Sequence, residues 1–257
     1  MPFRPIQAEK LSSAVIKQIE ELILRGILRP GERLPSEREL AERLQVSRPS
    51  LRDALAEMQG KGLLSTRAGA GVYVDEALGA AFSPALMDLF AKHREAVFDY
   101  LSFRRDMEGL AAERAARQAS DTDLTVIQTI FDKMETASAT TRQAEAEAQL
   151  DAQFHMAIIE ASHNVIMLHM MRSMYQLLQD GVFYNRKVMF KHRITRAHLL
   201  DQHRAINTAL QARDPAGARR AVEAHLDYVA DCLQNEVRAE ANEQVAKLRL
   251  DHVSPEA

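Results

Sequence analysis

Several polar residues interrupt the apolar faces of the helices predicted in the second half of the chain. Near residues 145–162, Asp151 and His155 lie four residues apart beside an apolar stripe, and His203 and His225 stand at inward positions of two later helices. Carboxylates and neutral imidazoles are ligands for divalent metal ions, and zinc, nickel, manganese and iron all accept them. A lone inward histidine is more often a hydrogen-bonded core residue, but three of them with a carboxylate favour a metal centre.

Arg104 and Glu108 interrupt the apolar face of another helix, predicted near residues 95–118. Because a buried guanidinium needs a partner, one interpretation is a structural ion pair between these two residues. The other is that Arg104 faces a cavity and binds an anion. A divalent ion held by one aspartate and three neutral histidines has a site charge of about +1 and open coordination positions. Together with Arg104, and with Asn207 one turn beyond His203, such a site would suit a small carboxylate.

A second group of candidate residues lies near the start of a short helix in the first half. Arg48 and Arg52 are four residues apart and off the apolar stripe of this helix. A guanidinium binds O6 and N7 of guanine when a recognition helix enters the major groove. Ser47 and Ser50, with the free N–H groups of the first turn, are suited to phosphate oxygens. The alternative interpretation is a solvated helix face.

Apolar spacing and helix-boundary signals predict the elements that position these arginines. Residues 11–23 keep one helical face apolar, and Ser36 and Ser47 are suited to cap two short helices separated by a tight turn. Residues 64–67 and 72–74 then alternate around a glycine-containing turn, as in a β-hairpin. These elements predict a winged helix-turn-helix. In that fold, Arg38 on the preceding helix and Arg67 on the wing would lie on either side of the DNA groove.

The remainder of the chain predicts six or seven helices, with breaks near residues 120–121, 163–164, 181 and 214–215. The expected fold class is therefore mainly α, with an N-terminal winged helix-turn-helix and a C-terminal all-α helical bundle. The expected boundaries are residues 1–74 for the first domain, residues 75–84 for a linker, and residues 85–250 for the second domain.

Composition excludes several classes of protein. The 257 residues include 33 Lys plus Arg and 36 Asp plus Glu, a formal net charge of −3, and 46% are hydrophobic, so a disordered or fibrous chain is excluded. Residues 1–74 carry 12 basic and 9 acidic side chains, an excess of +3 that leaves −6 for the rest. Cys232 is the only cysteine, which excludes a disulfide framework and a thiolate zinc finger. No membrane-spanning segment is expected, and a cytoplasmic protein is the simplest interpretation.

Three motifs in the first half resemble the DNA-binding domain of GntR-family bacterial transcription regulators. They are GERLPSERELA from Gly31 to Ala41, VSRPSLRDAL from Val46 to Leu55, and Gly62-Leu-Leu with the glycine-containing wing that follows. The resemblance implies that six residues fall on positions that contact DNA in that family, namely Arg38, Ser47, Arg48, Ser50, Arg52 and Gly69.

The second half resembles the effector-binding FCD domain of the FadR subfamily. The matching features are Arg104-x-x-x-Glu108 followed by two alanines, Asp151-x-x-Phe-His155, and the later histidine helices. The resemblance implies a divalent metal ion, with zinc as the first choice, at the positions of Asp151, His155, His203 and His225. Short segments look closest to regulators of pyruvate dehydrogenase and of lactate or glycolate utilisation, which implies a small 2-hydroxy or 2-keto acid as the signal.

The sequence therefore predicts a transcriptional regulator rather than an enzyme, and a repressor in particular. A homodimer would bind a pseudo-palindromic double-stranded DNA operator, and a small carboxylate at the metal site would change its affinity for that operator. Two alternatives stay open at this point. One is a DNA-binding regulator with a purely structural metal, and the other is a metal-dependent hydrolase, although no general base stands at a distinctive spacing.

Overall fold

The computed structural model describes residues 11–67, 70–79, 82–140, 144–179 and 193–253. The chain divides into two compact units between Ser83 and Pro84. This boundary lies at the end of the expected linker, residues 75–84, in which Glu76–Gly79 form one turn of 3-10 helix. Within the described ranges, no helix is both long enough and apolar enough to cross a membrane.

The first unit contains three helices and a two-stranded antiparallel sheet. They are α1 (Leu11–Leu24), α2 (Glu37–Leu44), α3 (Arg48–Gly60), β1 (Leu64–Arg67) and β2 (Gly71–Val74). In the hairpin, Leu64 lies opposite Val74 and Arg67 lies opposite Gly71. The predicted winged helix-turn-helix is confirmed.

Local signals explain where the helices of this unit begin and end. The Ser36 hydroxyl accepts a hydrogen bond from the Glu39 N–H, and the Ser47 hydroxyl accepts one from the Ser50 N–H, so each serine caps a helix. Gln45 adopts a left-handed conformation with φ of 53° and ends α2. Only two residues therefore separate α2 from the cap of α3. The inward face of α3 is fully buried, which fixes the orientation of its polar face.

The second unit contains seven helices in its described part, within the predicted number. They are α4 (Pro84–Lys92), α5 (Arg94–Gln118), α6 (Asp121–Thr140), α7 (Ala144–Ala161), α8 (Val165–Gln179), α9 (Arg193–Gln211) and α10 (Pro215–Val253). The observed breaks include left-handed residues at His163 and Arg213. The break expected at Gly181 lies outside the described residues. The predicted all-α bundle is confirmed, and α10 continues past the expected domain end at residue 250.

The core of the second unit brings α5, α7, α9 and α10 together. Fully buried alanines at positions 112 and 115 of α5 allow close packing against other helices, and α10 makes its most extensive contact along α5. Phe154 of α7 and Ile206 of α9 belong to the same apolar cluster. Residues one position away from these two, or one turn away, project beside the core. Asp151, His155 and His203 lie at such positions, and His225 of α10 lies next to Leu226 of the same cluster.

Candidate metal centre and DNA-binding surface

The four predicted metal ligands meet in the interior of the second unit. Asp151 and His155 come from α7, His203 from α9 and His225 from α10, and one ligand atom of each lies within 4.8 Å of the others. His203 Nε2 is 3.0 Å from Asp151 Oδ1 and 3.3 Å from His155 Nε2. All four side chains are buried. Three imidazoles and one carboxylate at these separations form a donor set that fits a divalent metal ion.

Partners outside the cluster orient two of the imidazoles. His203 Nδ1 lies 2.7 Å from the Leu199 carbonyl oxygen, and His225 Nδ1 lies 3.0 Å from Gln202 Oε1. A neutral imidazole that donates through Nδ1 keeps the Nε2 lone pair for a metal, and the acceptor fixes both the tautomer and the ring orientation. Gln202 was not singled out in the sequence. Its position immediately before His203 could not indicate that it contacts a histidine of another helix.

The protonation state of the cluster suits metal binding. Burial lowers the pKa of His225 well below its usual value, and the neighbouring His203 and His155 lower it further. Burial also lowers the pKa of His155, although the Glu108 and Asp151 carboxylates act in the opposite direction. Both imidazoles therefore favour the neutral form, which is the form that binds a metal ion.

The ion pair between Arg104 and Glu108, one of the two interpretations open from the sequence, is present and buried. Arg104 Nε donates to Glu108 Oε1 at 2.6 Å and Arg104 Nη2 donates to the Tyr175 hydroxyl at 2.9 Å. His155 Nδ1 lies 2.7 Å from Glu108 Oε2, without the alignment of a hydrogen bond. Burial alone would raise the pKa of Glu108, but Arg104 and His155 together hold it well below its usual range. Glu108 is thus an ionised carboxylate between Arg104 and the cluster.

Asn207 lies one turn beyond His203 on α9 and links this helix to α6. Its Nδ2 donates to Gln128 Oε1 at 2.7 Å, and its Oδ1 accepts a hydrogen bond from Gln211 Nε2 at 3.3 Å. Asn207 is 5% exposed. In this arrangement the amide stabilises the contact between two helices beside the cluster, and its expected role in binding an effector stays a prediction.

A small cavity of about 20 Å³ reaches the cluster at His203. Arg196 and Glu147 form an ion pair in its wall, in which Arg196 Nε donates to Glu147 Oε2 at 2.8 Å and Nη2 donates to Oε1. The lining residues are Met134, Ser138, Glu147, Leu150, Arg196, Leu200 and His203. Neither residue of this pair was among the site residues expected from the sequence. Glu147 lies four residues before Asp151 and Arg196 seven before His203, so helical spacing alone could have placed both on the ligand-bearing faces.

The polar face of the first unit presents the predicted DNA-contacting residues to solvent. Arg38, Arg48, Arg52 and Arg67 are exposed, as is Ser47, and Ser50 is half-buried. The Ser47 and Ser50 hydroxyl oxygens are 2.9 Å apart at the start of α3. Gly69 lies outside the described residues. The structure thus places Ser47 at the cap of α3 and Arg48 and Ser50 in its first turn, where free N–H groups can also bind phosphate.

Two of the exposed arginines are held by neighbouring side chains. Arg52 Nε donates to Glu37 Oε2 at 2.7 Å, which ties the second turn of α3 to the first turn of α2. Arg67 pairs with Glu76, and its guanidinium carbon lies 4.4 Å from the centre of the Tyr73 ring. The contact of Arg52 engages Nε, whereas a guanidinium approaches guanine with its terminal fork of N–H groups.

The positioning of His225 by Gln202 can be tested by a change that removes only the acceptor. Gln202→Met retains side-chain length but leaves His225 Nδ1 without its amide oxygen. Loss of such an outer partner is expected to weaken metal binding by about 10- to 100-fold. Competition with a chromophoric chelator measures the affinity. The control is Gln211→Met on the same helix, because the Gln211 amide contacts the Leu124 carbonyl and Asn207 rather than a histidine. Equal affinities in the two variants would contradict the prediction.

Comparison with known proteins matches both units. Residues 11–74 match the family described as bacterial regulatory proteins, gntR family, and residues 99–228 match the FCD domain. The chain is 35% identical over 224 residues to a regulatory protein of Escherichia coli (strain K12) named for the L-lactate dehydrogenase operon, covering 86% of this chain and 85% of that protein. It is 33% identical over 222 residues to the Glc operon transcriptional activator of the same strain, covering 85% and 87%.

A solved structure shares the fold. Streptococcus agalactiae GntR matches with a TM-score of 0.51 at 22% identity, covering 86% of this chain and 99% of that one. The two domain matches and the curated relatives agree with the helix-turn-helix and the helical bundle seen here. The chain therefore belongs to the GntR family of bacterial regulatory proteins, in its FadR-like branch with an FCD domain, and is a DNA-binding transcriptional regulator rather than an enzyme.

Proposed function

We propose that this regulator responds to a small 2-hydroxy or 2-keto acid that binds at a metal ion in the FCD domain. The observation that carries the proposal is a buried cluster of four side chains, Asp151, His155, His203 and His225. Acceptors outside the cluster lie next to Nδ1 of His203 and His225. A divalent ion held there, with zinc as the first choice, supplies open coordination positions for a carboxylate and an adjacent hydroxyl or keto oxygen.

The names of the relatives support this class of signal. One relative is named for the L-lactate dehydrogenase operon and another for the Glc operon. Two guanidinium groups of the same domain are also cationic partners for an anion, although in this structure Arg104 pairs with Glu108 and Arg196 pairs with Glu147. The expected effector contacts, in addition to the metal, are Arg104 and Asn207.

The DNA-binding step of the proposal uses two copies of the chain. A homodimer presents two α3 helices to a pseudo-palindromic operator, with Arg48 and Arg52 directed to base edges and Ser47 and Ser50 to phosphates. An acid that favours a different dimer geometry changes the fit to the half-sites. By linkage, DNA must change the affinity for the acid by the same factor. We propose a repressor that blocks transcription while bound to its operator.

A thermal-shift experiment tests the metal-dependent effector. Zinc-loaded and EDTA-stripped protein is heated with L-lactate, glycolate, pyruvate, dicarboxylates or sugar acids. A ligand that binds only the folded state stabilises it by about 2.7 kcal/mol at 100 times its Kd. We expect at least one 2-hydroxy or 2-keto acid to raise the melting temperature of the zinc-loaded protein and to leave that of the stripped protein unchanged.

The same experiment distinguishes the proposed effector site from the second candidate, which is a metal ion with a purely structural role. That candidate is favoured by the burial of all four ligands. A large loss of stability on stripping, with no acid shifting the melting temperature of either form, would support the structural role and contradict the proposed effector.

A further inference from the structure

Among the residues that the structure describes, the cation that lines the cavity beside the metal cluster is Arg196 and not Arg104. Arg104 is absent from the cavity wall, and its guanidinium donates to Glu108 and Tyr175. The Arg196 and Glu147 side chains are 16% and 7% exposed and share the wall with His203, a candidate ligand. The ion pair and the candidate ligand His203 therefore line the same cavity.

The size of the cavity limits what can enter while this ion pair is intact. A volume of about 20 Å³ has room for about one water molecule and not for a three-carbon acid. Met134, Leu150 and Leu200 form the apolar part of the wall and belong to packed helices. Among the described residues of the wall, Glu147 is the carboxylate, and its side chain occupies the space next to Arg196.

An incoming carboxylate can take the place of Glu147 without leaving the guanidinium unpaired. The Glu147 carboxylate makes two N–H···O contacts with Arg196, and the carboxylate of a small acid has the same planar two-oxygen geometry. Removing one partner of a buried ion pair is costly, but exchange of one carboxylate for another keeps the pair complete.

We propose that Arg196 binds the carboxylate of the effector and that Glu147 occupies this position until the acid displaces it. The inference rests on the proposed function, and it assigns to Arg196 the anion-binding role that was one of the two interpretations of Arg104 open from the sequence. The competition makes Glu147 a built-in inhibitor of effector binding. It also breaks the Glu147–Arg196 ion pair between α7 and α9 when the acid binds, and these two helices carry three of the four candidate metal ligands.

If Glu147 and the acid compete for Arg196, substitutions at Glu147 and at Arg196 are expected to change the affinity for the acid in opposite directions. Glu147→Gln removes the competing charge, so the affinity for the acid is expected to rise by about tenfold. Arg196→Gln loses both the positive charge and the fork of N–H groups, so the affinity for the acid is expected to fall by about 30-fold or more. Arg196→Lys keeps the charge but loses the fork, so its affinity is expected to fall by less. Isothermal titration of zinc-loaded protein with L-lactate, glycolate and pyruvate measures each affinity, and zinc content measures whether the cluster is intact.

A matched control uses the glutamate of another partly buried ion pair, which lies on α7 like Glu147 and pairs with an arginine of α8. Arg172 Nη2 and Glu160 Oε1 are 2.7 Å apart, and Glu160 lies 13 residues from Glu147, about 20 Å along α7. Glu160→Gln therefore changes the same chemistry far from the cavity and should leave the affinity for the acid unchanged. Tighter binding in Glu147→Gln with weaker binding in both Arg196 variants, at equal zinc content, supports the inference.

The outcomes that overturn this inference differ from those that overturn the proposed function. If the wild-type protein binds an acid and Glu147→Gln binds it no more tightly, or the Arg196 variants bind it equally well, the exchange is wrong while the effector proposal stands. If neither the wild-type protein nor Glu147→Gln binds any of the acids, both proposals are wrong. A third outcome is that the acid binds equally well to zinc-loaded and stripped protein and still depends on Arg196. This outcome would support the displacement of Glu147 by the acid and contradict the metal-dependent effector.

Discussion

Replacing Arg52 by alanine is expected to remove much of the discrimination between operator and unrelated DNA. Arg52 is exposed on the second turn of α3, and Glu37 holds its guanidinium at Nε. A bidentate contact with guanine contributes about 1–3 kcal/mol of discrimination, so a loss of about 5- to 150-fold is expected for each half-site. Fluorescence anisotropy with operator and scrambled duplexes at several salt concentrations measures both affinity and specificity.

A matched arginine on α2 separates base recognition from loss of charge. Arg43 is also exposed and pairs with Glu39 within its own helix at 2.6 Å. It projects about 140° around α2 from Arg38, the α2 residue expected at the DNA. Arg43→Ala removes the same charge, so it should weaken binding to both duplexes equally, if at all. An Arg52→Ala protein that keeps full operator affinity and sequence preference would exclude α3 as the recognition helix that we propose.

The helix-turn-helix could be predicted from the sequence because its signals are local. Ser36 and Ser47 cap the helices that they precede, and the inward residues of α3 follow from apolar spacing alone. Gln45 adopts the left-handed conformation that ends α2, and because it is not a glycine its residue type did not indicate this conformation. Each of these features depends on residues fewer than five positions away, which is the range over which capping and helical periodicity act.

The metal candidates could also be predicted, but most of their partners could not. Positions on or beside the apolar stripes of single helices indicated Asp151 and the three histidines, because the faces of a helix follow from its periodicity. The contacts of Gln202 with His225 and of Tyr175 with Arg104 depend on how two helices rotate and cross, which no single-helix pattern contains. For the same reason, the sequence left two interpretations of Arg104 open until its contacts were placed.

The second large effect is expected from His203→Ala, which removes the ligand that lies nearest to two others. His203 Nε2 is 3.0 Å from Asp151 Oδ1 and 3.3 Å from His155 Nε2, and Leu199 orients its ring. Loss of an outer partner costs up to about 100-fold in metal affinity, so loss of a direct ligand should exceed that figure. Metal content after dialysis and the melting temperature with and without EDTA measure the effect. The wild-type protein should be destabilised by EDTA, and the variant should be insensitive to it.

A histidine outside the cluster provides the control for this prediction. His163 lies two residues after the end of α7, its side chain is 44% exposed, and it contacts Asp123 rather than a candidate ligand. His163→Ala should therefore keep both the metal and the response to EDTA. Because His203→Ala also creates a buried cavity, its stability must be compared with that of EDTA-stripped wild-type protein, which isolates the packing loss from the metal loss. A His203→Ala protein that still retains one metal ion per chain would show that the four residues do not form the site.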